Sequence, residues 1–247
     1  MTTPPIIEVT GLKNQLGDFW VHTNVNLSIN QGDVVAIIGG SGSGKTTLLK
    51  SLLMLLKPTD GCVKLFDEDI YALSPKALRQ LRKRFGVLFQ HSALFSSLNV
   101  LENVMFPMRE FTHLPEHFMK ELALLKINLV GLPAHAAYQY PSELSGGMQR
   151  RAAAARAIAM DPDILFLDEP TTGLDPRSAR RFDELIIFLH QTLKLTIVLI
   201  SHDLESLKTV PTKIAFIGEG EVLACEPYET LINNPHPMIK EYFHGGD

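Results

Sequence analysis

The feature that most restricts the fold of this chain is a glycine-rich loop between a buried strand and a helix. The run Val34–Ile38 is apolar throughout, as expected of a central strand covered on both faces, and a helical pattern starts at Lys45. The joining residues match GxxxxGK[ST]: Gly39, Gly40, Ser41, Gly42, Ser43, Gly44, Lys45 and Thr46. A flexible Gly/Ser turn would not need this strand-then-helix context, so the pattern predicts a phosphate-binding loop.

Each residue type in this loop has a role in binding a nucleoside triphosphate. Glycines let successive backbone N–H groups point inward, and the start of the helix adds positive potential. We expect Lys45 to bridge the β- and γ-phosphates, the Thr46 hydroxyl to hold Mg²⁺, and Thr47 to lie in the same site.

A second candidate site follows another apolar strand. The run Ile164–Leu167 leads directly into Asp168 and Glu169. Taken alone, two acids after a strand usually mark a strand that meets solvent, but beside a phosphate loop they favour chemistry. A buried strand delivers such residues to the sheet edge where α/β proteins bind ligands. We expect Asp168 to bind Mg²⁺ and Glu169 to polarise the water that attacks the γ-phosphate.

Strand-like and helical segments alternate in the first and last thirds of the chain, which is typical of an α/β sheet. We predict strands at 6–9, 21–29, 34–38, 62–66, 85–90, 164–167, 196–200, 213–217 and 221–224, and helices at 45–56, 74–84, 150–160 and 177–191. The middle of the chain is helical in pattern. The prediction is one domain over residues 1–247, with an α/β core of residues 1–90 and 159–247 and a helical subdomain of residues 91–158.

Composition excludes several classes of protein. A chain of 247 residues with 45% hydrophobic residues can bury a sizeable core, and its net charge of -4 gives no global basic field for nucleic acid. Its two cysteines suit a reducing compartment. No apolar run approaches the roughly 18 residues of a membrane span, and no signal-peptide pattern opens the chain. We therefore expect a cytoplasmic protein that reaches a membrane only through a partner.

A second anion-binding pattern occurs at Leu144–Gln149, which opens a helix rich in alanine and arginine. Ser145, Gly146 and Gly147 form a Ser-Gly-Gly sequence at the helix start. One nucleotide has no obvious use for two such helix starts on one chain. In a head-to-tail dimer, each ATP would lie between the loop of one copy and the Ser-Gly-Gly of the other. Here the sequence resembles the ATP-binding-cassette family, whose signature is LSGGQ where this chain has LSGGMQ.

The resemblance covers nearly the whole chain in the family's order, and it implies further site residues. Gln90 stands where the family's Q-loop glutamine senses Mg²⁺ and contacts the membrane partner. Asp175, in Gly-Leu-Asp, resembles the D-loop residue that communicates across the dimer at the nucleotide. His202 resembles the switch histidine at the γ-phosphate.

The resemblance also implies the fold and the activity. The fold would be a P-loop NTPase (RecA-like) core with an antiparallel β subdomain and an inserted helical subdomain. The ligands would be ATP and Mg²⁺, the latter held by Thr46, Gln90 and Asp168. The implied catalytic residues are all present, which predicts an active ATPase: Glu169, His202, Lys45 and Gln90.

One position departs from the family pattern. Relatives often carry an aromatic residue ahead of the phosphate loop that stacks on adenine, whereas the position here is Leu16. Phe19 or Trp20 could supply the ring, or either could belong to the core. The residue that stacks on adenine is therefore left open.

The segment after Gln90 narrows the resemblance to the MlaF-type ATPases of the maintenance-of-lipid-asymmetry (Mla) phospholipid transporters. Its most specific part is residues 106–115, which read Phe-Pro-Met-Arg-Glu-Phe-Thr-His-Leu-Pro. The resemblance implies a second copy of the chain, an MlaE-like integral membrane permease, an MlaD-like lipid-binding subunit and a STAS-domain regulator as partners. It implies a peripheral location on the cytoplasmic face of the inner membrane.

Three other functions compete with phospholipid transport. An amino-acid-like importer shares the Leu-Phe and Glu-Asn-Val elements of the same segment. A cell-division-type cassette would signal across the membrane without moving cargo. A soluble nucleic-acid factor fits poorly, because such factors need two cassettes or long coiled coils and a basic surface.

Overall fold

The computed structural model describes residues 4–245 of the protein, and the chain divides into two compact units. One unit comprises Met1–Leu78 and Val198–Asp247, and the other comprises Arg79–Ile197. The strands are β1 (Ile7–Leu16), β2 (Phe19–Ile29), β3 (Val34–Ile38), β4 (Asp60–Leu65), β5 (Glu68–Asp69), β6 (Phe85–Leu88), β7 (Ile164–Asp168), β8 (Thr196–Ile200), β9 (Lys213–Gly218) and β10 (Glu221–Glu226). The helices are α1 (Lys45–Leu52), α2 (Pro75–Leu81), α3 (Val100–Phe111), α4 (Glu116–Leu129), α5 (Gly146–Ala157), α6 (Pro176–Leu193), α7 (Leu204–Thr209), α8 (Tyr228–Leu231) and α9 (Pro237–His244).

The first unit contains antiparallel and parallel strand pairs. One sheet is antiparallel in the order β2-β1-β4-β5, with Val9 opposite Leu27 on one side and Val63 on the other. The neighbouring strands β10, β9 and β3 combine an antiparallel pair with a parallel one, in which Ala36 is opposite Ile214. Every residue of β3 is buried, as its continuous apolar run predicts.

The second unit joins a parallel strand pair to a group of helices. Strands β6 and β7 are parallel, with Val87 opposite Phe166, and α3, α4 and α5 pack against one another. Four consecutive alanines in the middle of α5 are all buried: Ala152, Ala153, Ala154 and Ala155. These small side chains suit a close approach of α5 to β6, where a Cβ on Gly86 would lie 2.0 Å from the Ala157 carbonyl oxygen.

Asn103 explains why the start of α3 is fixed. Its buried side chain accepts a hydrogen bond from the Phe95 N–H and donates to the carbonyl oxygens of Phe95, Leu98 and Asn99. Asn99 caps the helix in a reciprocal capping box with Glu102. The Glu-Asn-Val element of the sequence therefore has a local structural role.

Within residues 4–245, no helix is both long and apolar enough to cross a bilayer.

Candidate functional site

The glycine-rich loop lies in the first unit, between β3 and α1, as its sequence predicts. Its glycines at 39, 42 and 44 have φ values of 149°, 76° and 95°. A Cβ on Gly39 would lie 2.3 Å from the Ile217 carbonyl oxygen, and one on Gly44 would lie 2.4 Å from His22 Nε2. Both backbone conformation and space therefore require glycine at these two positions.

The geometry of this loop fits an anion. Lys45 Nζ donates to the carbonyl oxygens of Gly39 and Gly40, at 2.8 Å each, and lies 3.4 Å from Ser43 Oγ. The ammonium group is thus held over the loop. Helix α1 has Gly44 as its N-cap and no side-chain cap, which leaves its first-turn N–H groups for a phosphate. Thr46 is exposed in that turn and Thr47 is partly buried.

A histidine that the sequence analysis did not single out lies beneath this loop. His22 of β2 is fully buried, and Nε2 faces Gly44. Neither ring nitrogen has a hydrogen-bond partner of normal geometry. Burial lowers the pKa of His22 from 6.5 to about 4, and the Gly44 backbone offsets only part of that effect. His22 is therefore neutral in the folded protein near pH 7.

We predict that His22 makes the protein less stable in acid. In the unfolded chain His22 gains a proton below pH 6.5, whereas in the folded chain it does so only near pH 4. Its contribution is therefore complete above pH 6.5 and is lost as pH falls to 4, by at most about 3 kcal/mol. Denaturant unfolding of wild type and His22→Leu across this range measures the difference, and His113→Leu, which removes an exposed histidine, is the control. A wild-type minus His22→Leu difference that is constant with pH would contradict the prediction.

His202 also lies in the first unit, directly after β8. Its side chain is exposed, and it stands between the buried Ser201 and Asp203, the N-cap of α7. Ser201 Oγ accepts a hydrogen bond from the Asp203 N–H at 3.2 Å. This local turn fixes the backbone on both sides of the histidine.

In the second unit, the structure brings Gln90 and Glu169 together. Gln90 Nε2 donates to Glu169 Oε2 at 3.2 Å, and Thr172 Oγ1 donates to the same oxygen at 3.0 Å. Glu169 has a φ of 46°, a left-handed conformation that is uncommon for a non-glycine residue. Asp168 is the last residue of β7 and is half-buried. Both acids thus end a buried strand, as the sequence indicates.

The Ser-Gly-Gly sequence begins α5. Ser145 is the N-cap, and its side chain accepts a hydrogen bond from the Met148 N–H at 3.3 Å. Cβ atoms on Gly146 and Gly147 would meet their nearest neighbours only at 3.7 and 3.9 Å, which is ordinary contact. The packing of this chain therefore does not require glycine at either position, and the bare backbone leaves room for a group from outside the chain.

Asp175 has a structural role that the motif comparison alone does not indicate. It is the N-cap of α6, and its carboxylate accepts hydrogen bonds from the N–H groups of Arg177 and Ser178 at 3.1 and 3.0 Å. The side-chain hydrogen bond with Ser178 is the largest of the effects that lower the pKa of Asp175. The carboxylate is therefore held in place at the start of this helix.

The hairpin of β1 and β2 carries the three residues considered for stacking on adenine. Leu16 and Phe19 are paired across its end, next to the pair Gln15 and Trp20. The exposed fractions are 46% for Leu16, 68% for Phe19 and 43% for Trp20. The alternative that Phe19 or Trp20 belongs to the core is thus wrong, because both side chains are exposed to solvent.

Comparison with known proteins identifies the same family of ATP-binding transport proteins by sequence. Residues 22–172 match the family described as ABC transporter. The phospholipid transport ATP-binding protein MlaF of Haemophilus influenzae is 42% identical over 97% of this chain and 90% of its own length. The methionine import protein MetN of Lacticaseibacillus paracasei is 40% identical, over 89% of this chain and 62% of its own length.

A solved structure agrees in fold. The dimeric, post-hydrolysis ATP-binding cassette MJ0796, bound to ADP and Pi, is 31% identical with a TM-score of 0.81. The match covers 90% of this chain and 98% of that one. The predicted fold class, a P-loop NTPase core with an antiparallel β subdomain and a helical subdomain, is confirmed by this likeness and by the mixed sheets described above.

Proposed function

The chain belongs to the ABC transporter family as one of its ATPase subunits, and from this premise we propose that it drives phospholipid movement between the inner and outer membranes. ATPases of this family bind ATP with Mg²⁺, form dimers and pair with membrane permeases. The observation that carries the phospholipid assignment is the match to MlaF of Haemophilus influenzae, which extends over almost all of both chains.

We propose the following roles for the phosphate-binding residues. Lys45 and the N–H groups of the loop bind the β- and γ-phosphates of the substrate, because the loop glycines and the first turn of α1 present donors there. Ser145 and Gly147 of a second copy complete the site from the other side. The bare backbone at Gly146 and Gly147 supports this trans contact. Asp175, at the start of α6, lies in the segment that we expect to connect the two copies.

We propose that Glu169 and His202 carry out the hydrolytic step. We propose that the Glu169 carboxylate accepts a proton from the attacking water. His202 and Lys45 would stabilise the negative charge that develops on the γ-phosphate. Thr46, Gln90 and Asp168 offer hydroxyl, amide and carboxylate oxygens, the donors that Mg²⁺ prefers. Mg²⁺, when bound, neutralises phosphate charge. The hydrogen bond between Gln90 and Glu169 supports placing both residues at one reaction centre.

An apolar groove in the second unit supports a membrane permease as partner. A cavity of about 360 Å³ is lined by aromatic side chains that include Phe95, Phe106 and Phe111, with Arg82 and Arg156 also on its wall. Phe95 and Phe106 lie with ring centroids 4.6 Å apart, and Phe95 is 43% exposed. A groove of this kind suits a short amphipathic helix. We propose that a cytoplasmic helix of the permease binds here, so that movement of the cassette moves the permease.

Replacing Phe95 by a charged residue tests whether the permease binds in this groove. We expect Phe95→Asp to remove the permease from the purified complex, because burying a carboxylate against an apolar helix is costly. Phe188→Asp, on the exposed part of α6, is the matched control. Both variants should bind ATP as the wild type does. Co-purification of the permease in wild-type amount with Phe95→Asp would contradict this docking site.

The phospholipid assignment is tested by what co-purifies from the native membrane. We expect mass spectrometry of the complex in mild detergent to find an MlaE-like permease, an MlaD-like lipid-binding subunit and phospholipid, with a STAS-domain protein as a further proposed partner. An amino-acid permease would instead favour the importer class to which the MetN relative belongs. A division-type membrane protein without lipid would favour a signalling cassette.

Three broader expectations go with this proposal. We place the chain on the cytoplasmic face of the inner membrane, attached through its permease. We also keep the division into an α/β core of residues 1–90 and 159–247 and a helical subdomain of residues 91–158, with no role for nucleic acid. Tight nucleic-acid binding at physiological salt would contradict the last point.

A further inference from the structure

Arg150 is a buried arginine that the proposed reaction does not use. It lies in the second turn of α5, and only 7% of the residue is exposed. Its guanidinium donates to the carbonyl oxygens of Phe89, at 3.2 Å, and Thr172, at 3.0 Å, and lies 3.4 Å from Ser92 Oγ. Burial lowers the pKa of Arg150 from its usual range. Such a charge is kept in the interior only where several acceptors converge on it.

The two carbonyl groups that bind Arg150 belong to the segments that carry the proposed catalytic residues. Phe89 immediately precedes Gln90, whose Nε2 donates to Glu169 Oε2. Thr172 donates its hydroxyl hydrogen to the same oxygen. The contacts therefore close a ring that passes from Arg150 through Phe89 and Gln90 to Glu169, and returns through Thr172 to Arg150.

The backbone at Glu169 needs such support. Its left-handed φ of 46° is unfavourable for a residue with a side chain, so neighbouring contacts must hold it. The turn that follows contains a bond from the Thr172 N–H to the Glu169 carbonyl oxygen at 3.3 Å. Arg150 binds the carbonyl group of that same Thr172. The guanidinium thus anchors the end of the turn that sets the direction of the carboxylate.

We infer that Arg150 is a positioning residue of the ATPase reaction, which fixes Gln90 and Glu169 relative to each other from α5, the helix that Ser145 caps. This inference rests on the roles proposed above for Gln90 and Glu169. It adds a physical connection between α5, which we expect to meet the second copy's nucleotide, and the carboxylate that activates water. A displacement of α5 would therefore act on the carbonyl groups of Phe89 and Thr172 together, since Arg150 donates to both.

Another arginine on α5, Arg151, provides a matched control. Arg151 donates to the carbonyl oxygens of Val130, at 2.6 Å, and Arg181, at 3.4 Å, and neither acceptor belongs to the ring. Burial is the main cause that lowers the pKa of Arg151, as it is for Arg150. Replacing Arg151 by methionine therefore removes a comparable set of carbonyl contacts from the same helix and leaves the ring intact.

The test compares Arg150→Met, Arg150→Lys and Arg151→Met. We expect Arg150→Met to lower kcat about 10- to 100-fold with KM for ATP within about threefold of wild type. Arg150→Lys should retain only part of the wild-type kcat, because one ammonium group cannot replace a planar guanidinium that donates to two carbonyl oxygens. Arg151→Met should lower Tm while leaving kcat per folded molecule within about twofold of wild type.

Hydrogen exchange of the nucleotide-free protein gives a readout that does not depend on activity. In Arg150→Met we expect amide exchange at least about tenfold faster in residues 89–92 and 169–174, and no such change in Arg151→Met. Thr172→Val should lower kcat without faster exchange in residues 89–92, and Thr172→Ser, which keeps the hydroxyl group, should restore kcat.

Either of two results for Arg150→Met would overturn the inference: wild-type kcat, or unchanged exchange in both segments. A loss of kcat in Arg151→Met equal to that in Arg150→Met would overturn it as well, since the effect would then be general loss of stability. Glu169→Gln, measured alongside, separates this inference from the proposed function. Wild-type turnover in Glu169→Gln contradicts the role of Glu169, whereas loss of turnover there but not in Arg150→Met contradicts only the positioning role.

Discussion

Replacing Glu169 by glutamine is expected to lower kcat for ATP hydrolysis about 100- to 10,000-fold while ATP affinity stays within a fewfold of wild type. The amide cannot accept the proton of the attacking water. It has the same shape, and its oxygen can still accept the hydrogen bonds that Glu169 Oε2 receives from Gln90 and Thr172. The substitution therefore removes the chemistry and leaves the local structure in place.

The same variant should also reveal the dimer. In the proposed mechanism, a second copy completes the ATP site before the water attacks. Glu169→Gln, which cannot complete hydrolysis, should therefore remain an ATP-bound dimer, measurable by light scattering after size-exclusion chromatography. Glu205→Gln is the matched control, since Glu205 is an exposed residue of α7 that pairs with Lys208. Turnover like that of wild type in Glu169→Gln would remove this residue from the reaction.

Replacing Lys45 by alanine should weaken ATP binding or slow turnover by at least about 100-fold. The ammonium group is held over the loop by the carbonyl oxygens of Gly39 and Gly40, where it would meet the phosphates. Alanine removes that charge and leaves the loop carbonyls facing an anion. Binding of a fluorescent ATP analogue measures the loss, and Lys50→Ala, at the exposed end of α1, is the control. Normal ATPase activity in Lys45→Ala would contradict the assignment of the loop.

Local sequence patterns were sufficient for the strands and loops that carry the nucleotide motifs. The predicted strands at 34–38 and 196–200 are confirmed residue for residue. The first is a continuous apolar run and the second is one apart from Thr196, so no distant contact is needed to define them. For the same reason, the phosphate loop and the two acids at the end of β7 lie where the sequence predicts them.

Helix α1 shows why one boundary was wrong. The pattern predicted a helix to residue 56, closed by Lys-Pro, but α1 ends at Leu52. The end is formed by Met54 in a left-handed conformation, with φ of 58°, and by bonds from the Leu55 and Leu56 N–H groups to the Lys50 carbonyl oxygen. Such an end usually contains glycine. With methionine there, the sequence gives no local signal for it.

Strand β1 shows a second kind of error. The sequence predicted a strand at 6–9, whereas β1 continues to Leu16. Its pairing with β2 shifts register between Val9 and Leu12 and again near Asn14, and Gly11 has a φ of 55°. Each shift interrupts the alternation of apolar and polar residues, so a bulged strand does not have the period of a regular one.

The contacts of His22 and Arg150 could not be predicted from sequence. His22 stands 22 residues before Gly44, and Arg150 lies 61 residues from Phe89. A single histidine on a strand and an arginine in an alanine-rich helix are ordinary patterns, and only the tertiary structure places them beside the loop and the ring. Thr172 was likewise not singled out from the sequence, because its hydrogen bond to Glu169 depends on the left-handed turn.

The most direct test of the account is phospholipid transfer by the complex in proteoliposomes. The complex purified from its native membrane is reconstituted with labelled phospholipid, either with wild-type chain or with Glu169→Gln. We expect lipid transfer that requires ATP and Mg²⁺ and is abolished by Glu169→Gln. Vigorous ATP hydrolysis by the wild-type complex without any ATP-dependent movement of phospholipid would contradict it.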